Sequence, residues 1–208
     1  MPETPILYSF RRCPYAMRAR MAIAVSGTAV RLREVLLKDK PEEMLAASAK
    51  GTVPVLIDGG RVIDESLDVM LWALAKNDPE GWLSCKDDAL IAENDGPFKH
   101  HLDRYKYSTR YEGADAEEHR TAGLAFLEKL DARLTDSDYL HGAERGFSDI
   151  AIFPFVRQFR IADKEWFDAA PIPNVQQWLK TLMDSALFKS VMEKYPLWKE
   201  TGGAVSFP

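Results

Sequence analysis

The 208-residue chain is 46% hydrophobic and 28% charged, with a formal net charge of −5 and two cysteines, Cys13 and Cys85. That balance excludes a general electrostatic pull toward nucleic acid or an anionic membrane surface, and two cysteines exclude a disulfide scaffold. No stretch reaches the about eighteen consecutive apolar residues of a membrane span, and "MPETPILYSF" lacks the basic region and apolar run of a secretory signal, so the expected location is the reducing cytoplasm.

The first predicted element is a strand in "PILYSF", aromatic and apolar. A helix is predicted from Pro14 to Ser26, with Ala16, Ala19 and Ile23 in one apolar row and Met17, Met21 and Ala24 in a second, so it is expected to be substantially buried. Gly27 is its expected C-terminal cap. "AVRLREVLL" alternates apolar and charged residues through Val30, Leu32 and Glu34 and reads as a half-buried strand. A helical turn follows Pro41. "TVPVLID" and "RVID" flank Asp58-Gly59-Gly60, a hairpin signal. "ESLDVMLWALAKN" reads as a helix with Ser66 as N-cap and Leu67, Met70, Leu71 and Leu74 inward. The order β-α-β-α-β-β-α within about 76 residues matches a thioredoxin-like domain.

Beyond the turn-rich "NDPEGWLS" no strand pattern is read. Helices are expected over 87–111 and 116–134, a buried helix over 147–162, and two short ones near 174–183 and 185–194. The fold class is therefore α/β plus all-α: a thioredoxin-like domain over 1–78 and an all-helical domain over 87–208.

Chemistry concentrates on "YSFRRCPYAM". With Pro14 at the first helical position, Cys13 occupies the N-cap, where the N–H groups of Tyr15 and Ala16 and the positive helix end favour a thiolate. Such surroundings lower a cysteine pKa from about 8.5 toward roughly 3.5–7.5. Arg11 and Arg12 add positive potential. On the motif alone two readings stand, a reactive thiolate or an inert residue capping a helix. The fourth motif position, where a redox dithiol carries its second cysteine, is Ala16.

"RRCPYAMRARMAI", "LKDKPEEM", "GTVPVLIDGGRVIDES" and "SDIAIFPF" together resemble the glutathione S-transferase superfamily, with the nearest likeness to its cysteine-type, omega-like branch. The resemblance spans nearly the whole chain. It implies glutathione as co-substrate, no metal, and a homodimer. It places Val53-Pro54 at the family's cis-proline step, whose preceding residue pairs its backbone with the cysteinyl part of glutathione. It places Glu65 and Ser66 at the γ-glutamyl group, the acid taking the ammonium and Ser66 with the helix start taking the carboxylate. Lys40 matches the lysine that reaches the glycyl carboxylate; Lys50 competes for that role. Asp149 falls at a capping motif that ordinarily begins with Ser or Thr, here Gly146, and reads as structural, as does Cys85.

For mechanism the resemblance implies a monothiol thiol transferase or reductase, in which Cys13 forms a mixed disulfide with glutathione. Conjugation of glutathione to small electrophiles, or opening of a small aromatic ether, is the alternative within enzymes. A non-catalytic regulatory or interaction module is the alternative outside them. Tyr8 and Ser9 are ranked below Cys13 as sulfur partners, and Tyr15 reads as a packed aromatic. The second substrate, small and hydrophobic or a disulfide, belongs in the family's interdomain pocket. Near it "FKHHLDRYKYSTRYE" supplies Tyr105, Tyr107 and Tyr111, read as core or dimer interface. His100-His101 is not expected to bind metal, because neighbours diverge by about 100° on a helix and no further ligand cluster is evident.

Overall fold

The computed structural model describes residues 3–208, so Met1 and Pro2, which open the segment read for a signal, lie outside the described residues. The chain divides into two compact units, one of residues 3–80 with 185–208 and one of residues 81–184.

The first unit begins β1 (Ile6–Ser9), α1 (Pro14–Ser26), β2 (Val30–Glu34), α2 (Glu42–Ala47), β3 (Val55–Asp58), β4 (Arg61–Ile63) and α3 (Ser66–Lys76). This is the order read from the sequence. β1 pairs parallel with β2, Leu7 opposite Leu32, and antiparallel with β3, Leu7 opposite Leu56. Gly59 and Gly60, both at positive φ (55° and 86°), form the two-residue connection between β3 and β4, a conformation that glycine adopts without Cβ strain. Gly27 closes α1 at φ 65°.

α1 is substantially buried, as its two apolar rows predict, and three details of this unit go beyond or differ from expectation. α1 is buried nearly all round, Arg18 and Arg20 included, because each guanidinium has a long-range partner described below. The α3 cap is Glu65, and Ser66 is the first helical residue with its side chain buried. The inner face of α3 is Val69, Met70, Ala73 and Leu74, and Leu67 and Leu71 are half-buried.

The second unit is helical. It contains a 3-10 turn at Trp82–Cys85, α4 (Asp88–Glu93), α5 (Lys99–Lys106), a 3-10 turn at Ser108–Arg110, α6 (Ala116–Arg133), α7 (Phe147–Ala162), α8 (Lys164–Ala169) and α9 (Pro173–Asp184). The helix expected over 87–111 runs without interruption from Asp88 to Lys106 and ends at Tyr107, where φ is −128° and ψ 38°. A π-helical segment over Asn94–Phe98 contains Pro97, which lacks an N–H for the regular ladder, and such widened turns accommodate that loss. α7 forms the core of the unit, with Phe147, Phe153, Phe155 and Phe159 fully buried.

The last segment, α10 (Ala186–Val191), α11 (Trp198–Thr201) and β5 (Val205–Phe207), groups with the first unit. β5 pairs antiparallel with β2, Val30 opposite Phe207, giving the sheet order β4-β3-β1-β2-β5. The reading of 87–208 as one all-helical domain is corrected here: its last 24 residues, 185–208, belong with the sheet. Three residues of "VSF" carry too little alternation to announce a strand. Among the described residues no helix is long and apolar enough to cross a membrane.

Candidate active site

The loop between β1 and α1 presents Cys13. The Cys13 N–H donates to the Phe10 carbonyl (3.0 Å) and the Met17 N–H donates to the Cys13 carbonyl (2.9 Å), so a tight turn enters the helix directly. Cys13 is half-buried at the edge of an apolar cluster built from Tyr8, Ala16, Val35, Met44, Val53 and Val55. Its side chain makes no capping bond to the helix N–H groups. Instead Sγ lies 3.7 Å from the Val53 carbonyl oxygen, to which the thiol can donate. The sequence expectation of a sulfur facing the N–H groups of Tyr15 and Ala16 is corrected to that extent.

Residues that pattern alone did not single out fix this loop. The Arg11 N–H donates to Glu34 Oε1 (2.7 Å), and Arg20 Nη2 donates to the Arg11 carbonyl (2.7 Å). Arg20 also faces Glu34, Nη1 to Oε2 at 3.8 Å, with both side chains buried. Burial pushes Arg20 down to about 10, against the opposing pull of Glu34 and of the Cys13 sulfur. It also pushes Glu34 above the usual carboxylate range, while the Arg11 N–H and Arg20 pull it back. Arg20 keeps its charge at neutral pH, so a permanent cation stands within electrostatic reach of the sulfur.

A cleft of about 280 Å³ in the same unit is lined by Tyr15, Thr52, Val53, Pro54, Asp64, Glu65 and Ser66. Four of the six predicted site residues therefore line one cavity: Val53, Pro54, Glu65 and Ser66. The Val53–Pro54 peptide is cis. Ser66 Oγ accepts from Arg18 Nε (3.0 Å), and the Arg18 guanidinium sits over the Tyr15 ring at 5.1 Å. Tyr15, read as a packed aromatic, is a cleft wall.

The two candidate lysines separate. Lys50 is ion-paired with Glu65 and with Asp64, the latter at 3.1 Å. Those two bonds, Glu65 first, hold Lys50 above its ordinary range. Ser48 and then Lys50 hold Asp64 below its own. Lys40 is outside the cleft lining, and its Nζ lies 3.7 Å from where a Cβ on Gly51 would stand. Of the two hydroxyls ranked below Cys13, Tyr8 accepts from Arg33 Nη1 and Ser9 is fully buried.

In the second unit Asp149 accepts from the Gly146 N–H (2.9 Å), the Leu140 N–H (2.9 Å) and Trp178 Nε1 (2.8 Å) while fully buried. Burial raises its pKa against those three bonds. The glycine at 146 has a steric reason: a Cβ there would stand 2.3 Å from Cys85 Cβ.

Comparison with known proteins agrees with this architecture. Residues 7–81 match the model of the glutathione S-transferase N-terminal domain, and residues 113–181 match that of the C-terminal domain. A probable glutathione transferase of Aplysia californica is 35% identical over 91 residues, 44% of this chain and 97% of its own length. The probable glutathione S-transferase parA of Nicotiana tabacum is 27% identical over 207 residues, 92% of this chain and 89% of its own. A glutathione transferase family member of Pseudomonas fluorescens, solved with two glutathione bound, superposes with a TM-score of 0.77 at 18% identity, over 93% of this chain and 94% of its own. With both domain models matched in order on a thioredoxin-like sheet and a helical unit, this chain belongs to the glutathione S-transferase superfamily.

Proposed function

We propose that this protein is a glutathione-dependent thiol transferase or reductase, of the cysteine-type, omega-like kind, with Cys13 as its nucleophile. The observation that carries the reading is the Cys13 sulfur at the start of α1, 3.7 Å from the carbonyl of Val53, a residue that also lines the cleft with Pro54, Glu65 and Ser66. Glutathione as the ligand is supported by family membership and by the bound glutathione of the Pseudomonas fluorescens relative.

In this reading the Val53 backbone holds the cysteinyl part of glutathione. Glu65 exchanges the Lys50 ammonium it now binds for the ammonium of the γ-glutamyl group. Ser66, oriented by Arg18, takes the carboxylate at the first turn of α3. Lys40 is then the cation assigned to the glycyl carboxylate, with Lys50 staying paired with Asp64. The Cys13 thiolate attacks the glutathione sulfur of a mixed disulfide, forming Cys13–S–S–glutathione and expelling the other thiolate, which takes a proton from water. A second glutathione thiolate attacks the glutathione sulfur of that adduct, releasing oxidised glutathione and regenerating the Cys13 thiolate. Ala16 suits this cycle, because glutathione supplies the second sulfur.

The deciding experiment compares glutathione:disulfide exchange by wild type and Cys13→Ala. The expected result is a loss to background in the variant, and equal rates eliminate the proposal. Conjugation is the second reading, favoured by the transferase names of the relatives; activity on chlorinated aromatic acceptors that survives Cys13→Ser selects it.

A further inference from the structure

Three of the chain's four histidines meet in the second unit, on elements with no part in the chemistry above. His100 and His101 lie on α5 and His119 on the first turns of α6, two helices that pack against each other. The cap of α6 fixes His119: Asp115 accepts from the N–H groups of Glu117 (2.8 Å) and Glu118 (3.2 Å), and its carbonyl accepts from the His119 N–H (3.1 Å). One ring nitrogen from each histidine lies within 4.8 Å of the other two. The expectation of no further ligand beside His100-His101 is therefore overturned. Their divergence along α5 is bridged because the third ring comes from the neighbouring helix.

His101 Nδ1 and His119 Nδ1 are 2.9 Å apart. At that distance one nitrogen donates its proton to the other, which brings the two ring nitrogens face to face. A tetrahedral zinc with bonds of about 2.0–2.1 Å sets its nitrogens roughly 3.3 Å apart. Metal entry would open this pair by a few tenths of an ångström and turn the rings out of their mutual hydrogen bond, the donor's Nδ1 proton moving to its own Nε2 by exchange with water. His100 is exposed and can rotate inward. Glu118 and Asp103 add negative charge nearby. The opposing group is Arg104, whose Nη1 is 3.0 Å from His100 Nδ1; it also stacks on Tyr111 at 4.4 Å, a second resting place on its own side.

We propose that His100, His101 and His119 form a three-histidine site for a divalent transition metal of the zinc class, with water as the fourth ligand. Imidazole suits zinc, copper and nickel alike, and a bound ion would cross-link α5 to the start of α6.

The test titrates the untagged full-length chain with Zn²⁺ by calorimetry in glutathione-free buffer, and with Co²⁺ by visible absorption. One equivalent is expected to bind, with the d–d bands of tetrahedral nitrogen and oxygen ligation. His101→Ala and His119→Ala should each weaken binding at least about ten-fold, since loss of even an outer-shell partner has that effect. Arg104→Ala should tighten it. Circular dichroism matching wild type establishes that each variant is folded. No binding by wild type, binding unchanged in His119→Ala, or a thiolate charge-transfer band that disappears in Cys13→Ala would each overturn the site.

Discussion

Arg20 joins the backbone of the loop before Cys13 to the buried carboxylate of Glu34, and does so as a cation. Its electrostatic role is separable from its structural one. Arg20→Met should move the pH profile of Cys13 alkylation upward, on the order of half a unit to one unit. Glu34→Gln, which keeps an acceptor for the Arg11 N–H, should move it downward. Shifts in the same direction would assign both residues to folding alone. Neither role was legible beforehand, because a charge inside a helix pattern reads as solvated unless its partner is known. For Arg18 that partner is Ser66, 48 positions along the chain. Cys13 stands out through the proline and helix start beside it, whereas Val53, Pro54, Glu65 and Ser66 stand out only through the family resemblance; the fold gathers those four along one cleft. The sulfur's contact with the Val53 carbonyl, spanning 40 positions, left no local mark.

At the scale of elements, periodicity located α1 and the β3–β4 hairpin, where apolar spacing and glycine punctuation agree. It misplaced the start of α3 by one residue, since Glu65 and Ser66 are both polar and either can precede a helix. It gives no sign of the π-helical widening at Asn94–Phe98, where the helical pattern continues through Pro97. The start of α7 shows how a departure from a family motif can have a packing cause. Gly146 stands where a capping Ser or Thr is usual, because Cys85 occupies the space a Cβ would need. Gly146→Ala should therefore destabilise the protein by about 1–3 kcal/mol through overpacking. Adding Cys85→Gly should restore part of that loss; denaturant unfolding of the two variants reads the difference. An additive pair would show that the contact between 85 and 146 is not what selects glycine.

For the molecule as a whole, the two-part class was legible: strands alternating with helices early, helices alone afterwards. The return of residues 185–208 to the sheet unit was not, because a three-residue edge strand has no periodicity and its pairing with β2 spans most of the chain. Family membership establishes a glutathione transferase architecture, while the thiol-transfer chemistry rests on one sulfur. Cys85 provides an internal control, as the other cysteine of the same chain with neither in a disulfide. The most direct measurement is intact and peptide mass spectrometry after exposure to oxidised glutathione across a pH series. The account predicts one glutathione adduct, on Cys13, forming with an apparent pKa well below the ordinary thiol value of about 8.5 and absent from Cys13→Ala. An adduct on Cys85 instead, or none on Cys13 at any pH, would contradict it.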